Sequence, residues 1–330
     1  MKKILSRLFD HHKLSEEEAR SILIDISHGK YNAAQVASFI TVFLMRNITV
    51  DELAGFRKAL LDLCIRVDLE DRPTIDLCGT GGDGKNTFNI STLSSFVVAG
   101  AGYQVAKHGN YGVSSACGSS NVLEKIGYKF TNNADILKKQ IDESNICFFH
   151  APLFHPALKG VGPIRRELGM KTFFNMLGPL VNPAQPKHQI VGVYNLQIAK
   201  LYHYLHQNLD KSYAILHALD GYDEISLTGA VKIITNDSEQ VYNPEDLGFQ
   251  RLEPESIFGG KTVEEATDLF KKIISGQGTD AQNSVIIANS AIAIQRFKPY
   301  SSFDDCKEEA KESLLGNKAY QSLKSLIENQ

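Results

Sequence analysis

Apolar residues recur at helical spacing along residues 1 to about 70. Three pairs of residues have capping-box spacing just before an apolar-periodic stretch, namely Ser15 with Glu18, Asn32 with Gln35, and Thr49 with Glu52. Asp71-Arg72-Pro73 then breaks the pattern. We therefore predict a helical N-terminal domain over residues 1–72.

After Pro73 the pattern changes to short apolar strands that alternate with helices. This alternation predicts a parallel sheet with its ligand-binding loops at the carboxyl edge. The expected fold class is α/β, with a small helical domain and a larger domain, residues 73–330, in which helices flank a mainly parallel central sheet. Helices from about 133 to 185 are expected to join the helical domain. The predicted strands are 74–78, 104–107, 146–150, 189–194, 213–219 and 231–235; the predicted helices after Pro73 include 91–102, 118–126, 134–143 and 156–168.

Composition narrows the class of protein. An apolar fraction of 43% and a charged fraction of 22% are ordinary for a globular protein, and a formal charge of −3 argues against nucleic-acid binding through a basic surface. The five cysteines form no CxxC pair and are odd in number, which favours reduced thiols. No apolar run approaches the length that spans a bilayer. We expect a cytoplasmic protein that binds neither nucleic acid nor a membrane.

A stretch without acidic residues marks the candidate ligand site. Residues 84–123 contain no Asp or Glu, although the average content of 38 acids in 330 residues predicts about five. Two turns rich in Gly and Ser fall in or beside this stretch, CGTGGDGKNTFNIST from Cys78 and KHGNYGVSSACGSSN from Lys107. Backbone N–H groups, hydroxyls, Lys85 and Lys107 are the groups that a polyanionic ligand needs, so we predict a phosphate site.

Two familiar phosphate motifs fail on particular residues. The stretch from Gly79 to Gly84 matches GxGxxG, but the acid that a dinucleotide needs about twenty residues later is absent before Glu124. The same stretch nearly matches a P-loop, but Asn86 stands where the magnesium-binding Ser or Thr should be, and Asp83 would lie among phosphates.

Other candidates have a structural alternative as well as a functional one. Asp223 and Glu224 are adjacent on a turn between predicted strands, where they are either solvated or the ligands of Mg²⁺ for a bound pyrophosphate. Lys107 and His108 end a strand, where they offer a ligand a cation and a hydrogen-bond donor. Alternatively, Lys107 is a solvated loop charge and His108 a hydrogen-bonded structural residue. Arg165, in GPIRRELG, forms a surface ion pair or grips a ligand carboxylate.

Together these residues resemble the anthranilate phosphoribosyltransferase family of tryptophan biosynthesis. The similar stretches run in family order from about residue 75 to 226: DLCGTGGDGKNTFNIST, KHGNYGVSSACGS, FFHAPLFHPALKGVGPIRRELG, TFFNMLGPLVNP and LDGYDEIS. The resemblance implies a Mg²⁺-dependent reaction in which the amine of anthranilate attacks C1 of phosphoribosyl pyrophosphate and releases pyrophosphate. It also implies a homodimer joined through the helical domain.

The resemblance implies three sets of ligand-binding residues and no obligatory general base, because an aromatic amine is uncharged at neutral pH. Phosphoribosyl pyrophosphate would contact Gly79, Gly82, Asp83, Thr87, Asn89, Ser91, Thr92, Lys107 and Ser119. Anthranilate would contact Gly79, His108, Asn110, Arg165 and Gly178. Magnesium would be held by Ser91, Asp223 and Glu224.

The chain departs from the common family pattern after KHGN. Tyr111-Gly112 stand where Arg-Ala or Arg-Ser is frequent, Cys117 replaces a Ser, and Asn121 replaces an acid. Loss of the Arg removes one phosphate contact, and Asn121 removes a negative charge.

Two alternative functions use the same pattern. One is a pyrimidine nucleoside phosphorylase, which resembles this family in fold and has a related Gly-rich loop, although KHGN and GPIRREL point elsewhere. The other is a nucleic-acid-binding relative without activity, which should be basic and lack the pair Asp223-Glu224.

Overall fold

The computed structural model describes residues 1–112 and 117–330, within which helices dominate both ends of the chain and seven strands form one sheet. The elements in chain order are α1 (Lys2–Phe9), α2 (Glu16–Ser27), α3 (Ala33–Met45), α4 (Val50–Leu63), β1 (Ile75–Gly79), α5 (Ile90–Gly100), β2 (Val105–Gly109), α6 (Ser119–Lys125), α7 (Ala134–Ser144), β3 (Ile146–His150), α8 (Ala151–Phe154), α9 (Gly162–Leu168), α10 (Phe174–Leu177), β4 (His188–Gly192), α11 (Leu196–His206), β5 (Ser212–Ala218), β6 (Val231–Thr235), β7 (Glu239–Tyr242), α12 (Val263–Lys272), α13 (Asp280–Phe297), α14 (Phe303–Leu315) and α15 (Lys318–Glu328).

The chain divides into two units. The helical unit comprises residues 1–67 and 151–183, and the sheet unit comprises residues 68–150 and 184–330. None of the helices in the described ranges is long and apolar enough to cross a membrane.

The helical unit has the three predicted capping boxes. The side chains of Ser15, Asn32 and Thr49 each accept the backbone N–H of the residue three positions later. The side chain of that later residue accepts the backbone N–H of the cap residue in return. Glu52 makes further contacts outside its capping box. Its buried carboxylate also accepts from Leu14 N at 3.0 Å and pairs with both terminal nitrogens of Arg46. Glu52 thus ties the loop before α2 to the start of α4.

Aromatic rings join the two segments of the helical unit. Phe173 stacks on Phe56 with ring centroids 4.5 Å apart, and it meets Phe39 and Phe43 edge to face. Such contacts add to the free energy gained by burying the rings. Residues 151–183 therefore complete the apolar core of α3 and α4.

The sheet has the order β3-β2-β1-β4-β5-β6-β7. Strands β1 to β5 pair in parallel, and β6 and β7 are added antiparallel at one edge. Helix α5 is buried almost along its whole length and contacts β1, α13 and α15. The α/β fold class predicted from the sequence is confirmed.

Three details differ from the sequence-based predictions. Helix α7 lies in the sheet unit rather than with the helical unit, because it packs on β3 and α15. The helix predicted over 156–168 is interrupted, because Pro163 lacks an N–H and is favoured in the first turn of a new helix, α9. Strand β7 was not predicted, because Glu239, Gln240 and Val241 are exposed at the sheet edge and show no apolar alternation.

Candidate active site

The candidate site lies at the carboxyl edge of the sheet unit, where parallel strands end side by side. The order β2-β1-β4-β5 places the loops after β1, β2 and β5 along the same edge, with only β4 between β1 and β5. The Gly-rich turn follows β1, KHGN ends β2, and Asp223-Glu224 follow β5. Open α/β sheets bind ligands at this edge, so the topology brings the predicted phosphate loops and the predicted metal ligands together.

Left-handed backbone shapes the loop after β1. Gly81, Gly82 and Gly84 have φ values of +62°, +80° and +74°, which a residue with a Cβ rarely adopts. The N–H of Lys85 donates to the Asp83 carboxylate at 3.0 Å, and that of Thr80 donates to the Gly192 carbonyl at 2.9 Å. The loop is thus held in one shape by its own turn and by β4.

Further along the loop, Thr87, Asn89, Ser91 and Thr92 lead into α5. Thr87 forms a β-bridge with Phe258, and Thr92 is buried. The sequence predicted a helix from residue 91, but α5 begins at Ile90 and its N-cap residue is Asn89, whose side-chain amide donates to the Cys117 carbonyl at 3.1 Å.

Glu224, in the turn after β5, caps the N-terminus of α5. Its carboxylate accepts the N–H of Ser91 at 2.9 Å. The neighbouring Asp223 carboxylate accepts the N–H of Gly81 at 2.8 Å. An anion at a helix N-terminus is favoured by the helix dipole, so both charge and a hydrogen bond hold Glu224 at the start of α5, while the bond from Gly81 holds Asp223 at the Gly-rich loop.

Two glycines allow this close approach. A Cβ on Gly79 would lie 2.3 Å from the Asp223 carboxylate, and a Cβ on Gly192 would lie 1.4 Å from the Asp223 carbonyl oxygen. Gly79 and Gly192 are register partners at the ends of β1 and β4. Gly192 was not singled out in the sequence, since an isolated glycine at a strand end gives no signal of what crosses it.

The carboxylates at this edge repel one another. Burial and the nearby Asp83 charge raise the pKa of Asp223 to about 7. Burial is the larger cause of the raised pKa of Glu224, and the Asp223 charge is the next. Burial also raises the pKa of Asp83. Lys107 acts on Glu224 in the opposite direction but does not offset the repulsion. Carboxylates gathered in this way fit a divalent cation, which would relieve their repulsion.

Protein side chains supply only part of a metal coordination sphere. Residues 1–112 and 117–330 contain no group of three or more His, Cys, Asp or Glu side chains arranged to hold a metal ion by themselves. Magnesium commonly binds through one or two carboxylates together with substrate phosphates. The arrangement therefore fits Mg²⁺ that arrives with a phosphorylated ligand.

Lys107 and His108, at the end of β2, are both buried. The Lys107 ammonium donates to the Leu77 carbonyl on β1 at 2.6 Å. Burial lowers the pKa of Lys107, and the Asp76 carboxylate opposes that shift. Asp76 also accepts the N–H of His108 at 3.1 Å. Asp76 was not predicted as a site residue, because a lone acid within a short strand resembles a surface position.

The turn after β2 is described up to Gly112 and again from Cys117; Val113–Ala116 of the predicted motif lie outside the described residues. Asn121, which replaces an acid, accepts the N–H groups of Gly112 and Gly118 at 2.9 and 3.0 Å. The Ser119 hydroxyl donates to the Asn110 carbonyl at 3.3 Å. Asn121 therefore supplies the two acceptor bonds without a negative charge.

Tyr111 is the first residue that departs from the expected motif after KHGN. Its ring meets His150 edge to face at 4.9 Å, and its hydroxyl donates to Glu124 at 3.3 Å. The phenol thus packs on the end of β3 and offers no cationic contact.

Arg165 and Gly178 belong to the helical unit. The Arg165 guanidinium donates to Asn175 Oδ1 at 3.2 Å and lies 5.2 Å from the Phe174 ring centre. Burial lowers its pKa. Gly178 follows α10, and nothing lies within 4 Å of the position of a Cβ. Asn175 also accepts the N–H of Thr172 at 3.0 Å, so Arg165 is supported by a local turn.

The fold and this sheet edge are those of a glycosyl transferase. Residues 71–320 match the family described as "Glycosyl transferase family, a/b domain", and residues 2–64 match "Glycosyl transferase family, helical bundle domain".

Individual relatives identify the family within this class of glycosyl transferases. A protein of Flavobacterium johnsoniae named anthranilate phosphoribosyltransferase is 59% identical over 331 residues, covering 99% of this chain and 99% of its own. The solved Thermus thermophilus enzyme of that name has a TM-score of 0.92 and 28% identity over 98% of each chain. The Saccharomyces cerevisiae enzyme in complex with PRPP and Mg has a TM-score of 0.90 and 25% identity over 98% of this chain and 96% of its own. The chain belongs to the anthranilate phosphoribosyltransferase family, as its sequence motifs predicted.

Proposed function

We propose that this protein transfers the phosphoribosyl group of phosphoribosyl pyrophosphate to the amine of anthranilate, with Mg²⁺ as cofactor. One observation carries the proposal: direct hydrogen bonds join the segment after β1 to the pair Asp223-Glu224, at the sheet edge where β2 also ends. In the reaction the amine nitrogen bonds to C1, the bond from C1 to the pyrophosphate oxygen breaks, and the amine releases one proton to solvent water.

The loop after β1 is proposed to bind phosphoribosyl pyrophosphate. Left-handed glycines leave the backbone open to close approach by phosphate oxygens, and hydroxyls and amides line the path into α5. The assigned residues are Gly79, Gly82, Asp83, Thr87, Asn89, Ser91, Thr92, Lys107 and Ser119. Lys107 adds a buried positive charge beside β1.

Asp223, Glu224 and the Ser91 hydroxyl are proposed to hold Mg²⁺. When bound, the ion neutralises the charge that develops on the departing pyrophosphate. The role of the chain is positional, since Gly81 and Ser91 hold the two carboxylates in place before substrate arrives. This arrangement lowers the cost of orienting them during the reaction.

Anthranilate is proposed to contact Gly79, His108, Asn110, Arg165 and Gly178. The planar guanidinium of Arg165 suits the carboxylate of anthranilate through two parallel N–H donors. Because the aromatic amine already has an available lone pair, we assign no general base.

Loss of anthranilate fluorescence tests the reaction directly. Purified protein with Mg²⁺ and phosphoribosyl pyrophosphate should consume anthranilate, and omission of either should stop consumption. No fluorescence change in the full mixture, or phosphate-dependent cleavage of thymidine or uridine, would contradict the proposal. Tight, salt-sensitive DNA binding without turnover would instead favour the nucleic-acid-binding alternative.

The metal assignment has a sharper test. Asp223→Asn combined with Glu224→Gln should abolish turnover or raise the Mg²⁺ requirement greatly, because neutral amides bind Mg²⁺ weakly. Asp220→Asn is the matched control. It removes a charge from the same turn, while the amide oxygen can still accept the Thr228 hydroxyl. Wild-type kinetics in the double variant would remove Asp223 and Glu224 from the metal site.

The remaining assignments follow from family membership. We propose a homodimer that functions in the cytoplasm in tryptophan biosynthesis. The five cysteines are thiols rather than disulfides, which suits a reducing compartment. The helical domain is proposed to comprise residues 1–72 together with the later segment 151–183, and the phosphoribosyl pyrophosphate-binding domain the rest of residues 73–330. Sedimentation of the purified protein measures the oligomeric state.

A further inference from the structure

A buried side chain from a distant helix contacts the turn that carries the two carboxylates. Asn289, in α13, is 4% exposed. Its Oδ1 accepts the N–H of Ile225 at 3.1 Å, and its Nδ2 donates to the Ile225 carbonyl at 2.9 Å. Ile225 directly follows Glu224, so the amide satisfies both backbone groups of the residue next to the proposed metal ligands.

The partners fix the orientation of this amide. Nδ2 also donates to the Val285 carbonyl at 2.8 Å, so it faces two carbonyl oxygens while Oδ1 faces an N–H. An amide turned by 180° would direct its oxygen at both carbonyls and lose all three bonds. The Asn289 amide therefore makes three hydrogen bonds in this orientation, one through Oδ1 and two through Nδ2.

This contact completes the support of the turn. Gly81 and Ser91 donate to Asp223 and Glu224 on the substrate side, and Gly192 leaves room for the Asp223 backbone at the end of β4. Neither set of contacts holds the chain after Glu224, whereas Asn289 does. Without it, two buried backbone groups of Ile225 would lose their partners, at a cost that favours rearrangement of the turn.

From these contacts we infer that Asn289 is a positioning residue for metal-dependent substrate binding. It holds Asp223 and Glu224 at the sheet edge through Ile225 and touches neither metal nor substrate. The inference rests on the proposed function, because it requires these carboxylates to bind Mg²⁺ with phosphoribosyl pyrophosphate.

The experiment compares Asn289→Asp with Ser290→Ala. The Asp variant keeps the shape of Asn289 but places oxygen against the Ile225 and Val285 carbonyls. Ser290 is buried in the same helix, and its hydroxyl has no hydrogen-bond partner in the described residues, so the Ala variant removes volume without removing a bond. Calorimetric titration with phosphoribosyl pyrophosphate at a series of Mg²⁺ concentrations measures binding without turnover.

The Mg²⁺ concentration for half-maximal binding should rise about tenfold or more in Asn289→Asp, the usual effect of disturbing residues that orient metal ligands. Ser290→Ala should match wild type, and excess Mg²⁺ should restore binding to the Asp variant. A folded Asn289→Asp with the wild-type Mg²⁺ requirement would overturn the inference. Absence of Mg²⁺-dependent binding in wild type would instead refute the proposed function.

A measurement on the wild-type protein covers the case in which Asn289→Asp fails to fold. The N–H of Ile225 should exchange with solvent deuterium as slowly as the amides of β5, since its acceptor is a buried side chain. Rapid exchange at Ile225 beside protected β5 amides would refute the role of Asn289.

Discussion

Substituting Gly192 by Ala should displace the turn that carries the proposed metal ligands. A Cβ at this position would lie 1.4 Å from the Asp223 carbonyl oxygen, whereas ordinary contacts begin near 3.4 Å, so the turn must retreat by about 2 Å. The bonds from Gly81 and Ser91, now 2.8 and 2.9 Å, would then exceed hydrogen-bonding distance.

Each of these bonds joins a backbone N–H to a carboxylate and contributes about 1.5–3 kcal/mol. Losing both weakens the native position of the turn by about 3–6 kcal/mol, which is within the stability of a folded domain. We therefore expect a folded protein with a lower melting temperature and at least a tenfold weaker Mg²⁺-dependent binding of phosphoribosyl pyrophosphate.

Calorimetric titration and differential scanning calorimetry measure both effects. Gly160→Ala is the matched control, because nothing lies within 4 Å of its Cβ position and its φ is not left-handed. Wild-type binding by Gly192→Ala would show that the turn tolerates the displacement and would refute the argument from close approach.

Substitutions at three further positions test separate contacts. Glu52→Gln should lower the free energy of unfolding in urea by about 3 kcal/mol, because it removes the charge of a buried carboxylate and leaves the partly buried Arg46 without a counter-ion. Burial alone would raise the pKa of Glu52, but Arg46 and the N–H groups of Leu14 and Thr49 hold it below its usual value. This stabilisation is therefore present above the unfolded-state pKa and is lost as pH falls through the folded-state pKa; the Gln variant should lack that acid-dependent loss. Arg165→Ala should raise the KM for anthranilate far more than the KM for phosphoribosyl pyrophosphate in steady-state kinetics; equal changes would indicate a positional role. Asn121→Ala should lower the unfolding free energy by about 1 kcal/mol, whereas Asn121→Asp keeps both acceptor bonds and should melt near wild type in calorimetry.

The local signals in the sequence predicted the main elements well. Capping boxes at Ser15, Asn32 and Thr49 require only neighbouring residues, so they could be identified without a structure. The alternation of strands and helices after Pro73 likewise predicted the sheet, since its apolar runs are buried on both faces.

The contacts that the sequence did not predict join residues that lie far apart along the chain. Glu224 caps α5 from a turn after β5, and Asp76 accepts the N–H of His108 across two strands. Asn289 has no local pattern that distinguishes it from any other buried helical amide. Such residues are recognised only when the sheet brings their partners together, whereas the Gly-rich loops could be read directly from composition.

The hydrogen bonds that the Gly81 and Ser91 N–H groups donate to Asp223 and Glu224 link residues 142 and 133 positions apart in the sequence. Contacts over such separations form slowly, because a long loop must close before they add stability. The proposed metal ligands therefore meet the Gly-rich loop only after β4 and β5 have joined β1, and binding capacity should emerge late in refolding. A ligand that binds only the assembled edge would in turn stabilise the whole sheet unit against unfolding.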